Sequence, residues 1–322
     1  MRALTFGAPE GLSLATGRPI PIIGPGEALI RPILAGVCST DLEIAKGYMG
    51  FSGVLGHEFV GRVEKAPQSP QMEGKRVVGE INIPCGRCGR CHAGLGNHCA
   101  TRSVLGIVNK DGVFADYFTL PISNLHLVPE EVADEEAVFT EPLAAAFRIL
   151  EQVSPPPEAR VAVLGVGRLG QLIARALAAE GLRVTAIARS LAKLDLLKNV
   201  QVNTALDGQM TERGIFPLVV DSTGTAEGIK RAMELVAPCG TIILKTTTAT
   251  PAMPDLNRIV IDEIRVIGSR CGPFHTALMA LKEKRVETTE LIHEVMRLDQ
   301  ALEAMSLAAK PGVMKVLLKM ND

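Results

Sequence analysis

The sequence predicts an α/β protein of two domains, one a β-rich barrel and the other a doubly wound parallel sheet flanked by helices. Three observations lead there. Up to about residue 138 the chain is a series of short apolar or β-branched runs separated by glycine and proline, which suits strands better than helices. Beyond Ser154-Pro155-Pro156-Pro157, where no helix can continue, strand-length apolar runs alternate with helical periodicity, the pattern of a parallel sheet with crossovers. The 322 residues, 47% of them hydrophobic, are enough for two buried cores.

Taken in order, Met1-Arg2-Ala3-Leu4-Thr5-Phe6 runs at once into glycine and proline, so it reads as a first strand and not as a secretion leader. Strands are expected over Leu29 to Val37, Phe59 to Lys65, Lys75 to Ile81 and Phe114 to Leu120, and a helix over Asp134 to Val153. Val161 to Leu164 is a buried-strand run. Leu169, Leu172, Ile173, Ala176 and Leu177 follow at helical spacing until Gly181, and Val184 to Ala188 is the next strand. Further strands are expected at Leu218 to Val220, Thr241 to Leu244 and Val266 to Ile267. After about residue 272 come two helical segments and a last strand, Lys315 to Lys319. The domains are therefore drawn as 1–138 and 139–271, with 272–322 as a tail.

Composition narrows the function. A net charge of −1 and the lack of a long basic run give no general attraction for nucleic acid or an anionic membrane surface. No apolar run approaches the roughly 20 residues needed to span a bilayer. Seven cysteines without a leader point to a reducing compartment, the cytoplasm, where thiols serve metal or catalysis.

Four of them, Cys85, Cys88, Cys91 and Cys99, have the spacing C-x2-C-x2-C-x7-C among glycines that allow tight turns. Two-residue spacers let neighbouring sulfurs face one tetrahedral metal, so a closed structural zinc site is expected. Disulfides are disfavoured by the compartment. A bacterial iron–sulfur run would carry three residues before its last cysteine and a proline after it, where this chain has seven and then Ala100. A second donor set is spread through the sequence. Cys38, Gly56-His57-Glu58 and Glu141 offer sulfur, nitrogen and oxygen, the mixture of a catalytic zinc that keeps one position open.

Gly165-x-Gly167-Arg168-Leu169-Gly170 follows a buried strand and opens an amphipathic helix, the context in which a GxGxxG run binds a dinucleotide pyrophosphate at the helix N-terminus. About 20 residues on, a carboxylate normally accepts hydrogen bonds from the adenosine ribose; here the second strand runs into Ala188-Arg189-Ser190 instead. Arg189 can offer a planar donor fork, and Ser190 a hydroxyl, to the 2′-phosphate of NADP, so NADP(H) is expected over NAD(H).

Cys38-Ser39-Thr40-Asp41, Gly56-His57-Glu58-Phe59-Val60-Gly61, the four-cysteine run, Thr140-Glu141-Pro142-Leu143-Ala144 and the glycine motif occur in an order that resembles the zinc-dependent medium-chain alcohol dehydrogenases over essentially the whole chain, and within them the polyol, threonine and glucose branches. The resemblance implies a GroES-like catalytic domain completed by the tail, a Rossmann domain, and two zinc ions per chain. It also implies hydride transfer between a nicotinamide and an alcohol or carbonyl substrate. It makes Cys38, His57 and Glu58 ligands, with Glu141 either a fourth ligand or the holder of the zinc-bound water. Thr40 becomes the proton-relay hydroxyl and Asp41 the group orienting the ligand imidazole. Glu43 stands where several relatives carry a relay histidine. Thr223, in Ser222-Thr223-Gly224, falls in the loop over the adenosine, and Lys315 near the pyrophosphate. A homodimer or homotetramer is implied too. Two rival readings are a zinc-free quinone or enoyl reductase, whose kind lacks both donor sets, and a nicotinamide-sensing regulator.

Overall fold

The computed structural model describes residues 1–7, 9–247 and 253–320. The chain divides into two compact units, Met1–Glu141 with Ile292–Asp322, and Pro142–Leu291.

The first unit is built on a seven-stranded sheet. Its order is Leu125–Leu127, Arg76–Gly79, Glu58–Lys65, Glu27–Gly36, Lys315–Lys319 and Ile292–Arg297, with Phe118–Pro121 also paired to Glu27–Gly36. The long strand Glu27–Gly36 has neighbours on both sides and buries Ala28, Leu29, Ile30, Leu34 and Ala35, which is why it reads as a near-continuous apolar run. Strand Ala3–Gly7 forms a smaller sheet with Gly11–Ala15 and Gly53–Val54. The strand expected from Phe114 begins only at Phe118, because Phe114 is held by backbone bonds to Leu4 and Leu55 and lies under Gly56. The helix expected over Asp134 to Val153 is two, Asp134–Ala137 and Thr140–Gln152; Pro142 has no N–H to give and is accommodated in the first turn of the second.

The second unit holds six parallel strands in the order Asn203–Leu206, Arg183–Ala188, Arg160–Leu164, Phe216–Asp221, Val236–Leu244 and Arg265–Gly268. Chain order reverses between Arg160–Leu164 and Phe216–Asp221, the doubly wound arrangement whose switch point receives ligands at the strands' carboxyl ends. Its core includes Leu164, Ile187, Phe216, Val219, Val236 and Ile242. Residues 272–291, assigned by sequence to the tail, lie in this unit. The helix Phe274–Lys282 buries Phe274, Ala277, Leu278 and Leu281, and Gly272 sits on the Ala144 carbonyl where no Cβ would fit. At the edge of the sheet, Arg265–Gly268 is paired on one side only among the described residues, and Leu256, Val260 and Ile261 of the adjoining helix Leu256–Ile261 are exposed. Among the described residues no helix is long and apolar enough to cross a membrane.

Candidate metal centres and nucleotide site

Cys38 lies at a strand-to-helix corner, just beyond Glu27–Gly36, where it caps the helix Ser39–Ile44. His57 and Glu58 stand at the start of the neighbouring strand. Gly56 before them has φ 93° and the Phe114 ring where a Cβ would be, so only glycine delivers His57 here. Cys38 Sγ, a His57 ring nitrogen and a Glu58 carboxylate oxygen all lie within 4.8 Å of one another. His57 is 3% and Glu58 1% exposed.

Asp41, wholly buried, organises the corner. It accepts hydrogen bonds from the Cys38 N–H at 2.8 Å and the Gly56 N–H at 3.2 Å, and its Oδ1 lies 3.2 Å from His57 Nδ1. That Nδ1 is buried without a well-aligned acceptor, Asp41 sitting off its N–H axis. Burial disfavours the imidazolium, yet the Asp41 charge and contact, with Cys38 adding to them, raise the His57 pKa well above its ordinary value. The proton must leave before the ring can ligate, so metal uptake would release it. A partly buried thiol and a buried imidazole and carboxylate converging in this way fit zinc with a position left open.

The other residues expected around this site are spread more widely. Thr40 Oγ1 is 3.7 Å from Cys38 Sγ. Glu43 is exposed and takes a 2.8 Å bond from Lys46. Glu141, in the first turn of Thr140–Gln152, is partly buried and outside the converging donor set. Apart from these, Met49 and Phe51 line a cleft of about 330 Å³ with Ile107 and Lys110.

The four-cysteine run comes together as its spacing predicts. All four are free thiols, and the sulfurs of Cys88 and Cys91 are 3.5 Å apart, those of Cys85 and Cys91 3.9 Å, and those of Cys88 and Cys99 3.9 Å. A tetrahedron with zinc–sulfur bonds of about 2.3 Å has edges of about 3.8 Å, whereas disulfide sulfurs are about 2.05 Å apart. The Cys85 N–H, 3.5 Å from Cys99 Sγ, holds the Cys99 thiol down at about 6; burial and the surrounding thiols push Cys91 up to about 11.

In the second unit the glycine motif has the geometry its chemistry needs. Gly165 has φ 82° and leaves no room for a Cβ against Thr223; Gly167 faces open space; Gly170, in the first turn of helix Arg168–Ala179, packs on the Gly165 carbonyl. Arg168 and Leu169, both partly buried, complete that turn. Sequence reasoning passed over the Ser222 hydroxyl, 2.9 Å from the Leu164 carbonyl and 2.6 Å from that of Gly165, which pins the turn. A single serine in a loop carries no pattern that would reveal it. Thr223 bonds to Asp221 through its N–H at 2.9 Å and its hydroxyl at 2.7 Å. Arg189 and Ser190 are exposed just past Arg183–Ala188, and the Ser190 side chain makes no capping bond.

Lys315 reaches the first metal site. Its side chain is 5% exposed and its ammonium is bonded to the Glu58 carboxylate, with the Phe139 ring centroid 5.8 Å away. Its charge is thus engaged beside the Cys38 cluster.

The family model for the alcohol dehydrogenase GroES-like domain matches residues 24–130. The L-threonine 3-dehydrogenase of Sinorhizobium medicae (strain WSM419) is 32% identical over 247 residues, which cover 73% of this chain and 70% of that protein. The chain belongs to the zinc-dependent medium-chain alcohol dehydrogenase family. It is accordingly an NAD(P)-dependent oxidoreductase, with a GroES-like domain and a Rossmann-type sheet. Two solved structures resemble this medium-chain dehydrogenase over 99% of both chains: rspB of Escherichia coli CFT073 complexed with NADH, at a TM-score of 0.92 and 27% identity, and a candidate zinc-binding dehydrogenase from Sinorhizobium meliloti 1021 bound to NADP, at 0.90 and 26%.

Proposed function

We propose that this dehydrogenase moves a hydride between NADP(H) and the hydroxyl-bearing carbon of an alcohol or polyol, or the corresponding aldehyde or ketone. Its residues would hold two zinc ions, one at Cys38, His57 and Glu58 and one at Cys85, Cys88, Cys91 and Cys99. The observation that carries the reading is the convergence of three donors of different chemistry, two of them buried, within 4.8 Å. Zinc in that position would polarise the substrate oxygen and stabilise negative charge on it.

The protein's own groups do the rest. Asp41 fixes the Cys38 corner through its backbone bonds and faces His57 Nδ1, which sets the ring orientation. Thr40 Oγ1 stands beside Cys38 to take the hydroxyl proton and pass it outward, where Glu43 is the exposed carboxylate of the same helix. Glu141 is kept as a carboxylate that could replace Glu58. Thr40→Ala should retain full metal content and lose about 10²-fold in kcat, the usual worth of a positioned proton carrier; steady-state rates beside elemental analysis read both. The exposed sheet edge with Leu256, Val260 and Ile261 is the surface across which a homodimer or homotetramer would assemble. The seven free thiols suit a cytoplasmic setting.

The preference for NADP(H) rests on Arg189. Gly165 N–H bonds to the Ile187 carbonyl at 3.0 Å, so the end of Arg183–Ala188 lies beside the glycine turn, and the exposed Arg189 follows it with no ion pair among the described residues. With alcohols, polyols and aldose sugars assayed through nicotinamide absorbance, kcat/KM is expected to favour NADP(H). Arg189→Ala should lower it about tenfold or more for NADP(H), the worth of a charge-assisted hydrogen bond, with little change for NAD(H). A wild-type preference for NAD(H) would refute this assignment.

A further inference from the structure

The corner that carries Arg189 is held by side chains from the glycine-motif helix. After Arg189 and Ser190 comes the helix Leu191–Asp195, five residues long and without a side-chain cap from Ser190. A helix this short is not stable on its own, so tertiary contacts must set its place. Two of these are polar and come from one face of Arg168–Ala179. Gln171, the residue after the last motif glycine and 0% exposed, donates its side-chain N–H to the Lys193 carbonyl at 2.7 Å. Arg175, one turn further along the same face, donates to the Leu196 carbonyl at 2.6 Å. Carbonyls at the end of a helix have no partner within it, and these two are answered from outside. Gln171 is the more telling of the pair, because its Oε1 is buried and finds no donor among the described residues. A buried amide satisfied at one end only is a costly way to fill space, where leucine or methionine would pack without that cost. Its bond to Lys193 is therefore what the residue contributes. The Gln171 backbone N–H is bonded to the Gly167 carbonyl at 2.8 Å, so the residue that grips the Arg189 corner is itself fixed to the middle glycine of the motif.

We propose that Gln171 is a specificity-determining positioning residue: by holding Lys193 it keeps Arg189 and Ser190 in a fixed relation to the glycine turn, so that one adenine nucleotide can be gripped by its pyrophosphate and its 2′-phosphate together. The inference rests on the reading of Arg189 as the NADP(H) contact. NADH has no 2′-phosphate, so its binding gains little from a fixed corner. The test is fluorescence titration of the full-length protein with NADPH and with NADH. Gln171→Met, close in volume but without the amide, should raise the Kd for NADPH about fivefold or more, part of the worth of a charge-assisted hydrogen bond, and change that for NADH by less than about twofold. In an Arg189→Ala background, where the contact is already lost, Gln171→Met should change neither Kd, because residues acting through one contact are not additive. Gln171→Asn, which keeps the amide but is a methylene too short to reach Lys193, gives the same comparison if Gln171→Met does not fold. Equal weakening of both cofactors, a lower melting temperature with both Kd values unchanged, or effects of Gln171→Met and Arg189→Ala that simply add would overturn the inference and leave Gln171 a structural residue. If instead Arg189→Ala leaves NADPH binding unchanged, the NADP(H) reading beneath it fails.

Discussion

Cys38→Ser is expected to leave the protein folded with one zinc in place of the two proposed, and to cut kcat/KM by about 10³-fold or more. The size follows from what the metal supplies: stabilising charge on the substrate oxygen is worth several kcal/mol, and about 4 kcal/mol is a factor of roughly 10³. The fold should survive because Cys38 is held by its backbone, through Asp41, and not by its sulfur. Its removal also leaves the buried His57 and Glu58 in contact with Asp41 and Lys315. Elemental analysis with steady-state kinetics checks the prediction. Full zinc content in Cys38→Ser would move the second metal elsewhere.

Cys91→Ser should act in the opposite way, on stability first. A closed four-thiolate site contributes its binding free energy to folding, about 10–16 kcal/mol in small zinc peptides, and the lobe around it has little else to hold it. Within residues 85–99 the short helices Gly89–His92 and Gly96–His98 bury none of their own residues, and only Cys99 is fully buried. Without the metal that lobe should open, lowering the melting midpoint by about 5 °C or more and exposing the remaining thiols to alkylation. Calorimetry and thiol counting would show it; unchanged stability after loss of that zinc would mean the lobe is held by packing.

Much of this was readable in the residues because the devices are local. The four-cysteine spacing and the glycine turn after a buried strand each lie within a few positions, and the structure gives each the geometry that local rules require. The edge strand Ile292–Arg297 escaped notice because most of its side chains are exposed and it lacks an apolar alternation. The extent of the second unit was misjudged because nothing in the sequence of residues 272–291 says which core their helix covers. Lys315 was harder still. Its partner is 257 positions away, and only the register of three strands shows that Gly36 lets the two meet.

The strand Lys315–Lys319 has a consequence for how the protein is made. It lies inside the first unit's sheet, between Glu27–Gly36 and Ile292–Arg297, and Leu317 pairs with Gly36. During synthesis the unit that begins first must therefore wait on the ribosome with the Leu34–Gly36 end of Glu27–Gly36 unpaired on one side, while residues 142–291, contiguous in sequence, can fold as soon as they emerge. The nascent chain has reason to meet a chaperone at that edge, and a stalled or prematurely terminated product would carry a cofactor-binding half beside an unfinished, aggregation-prone partner.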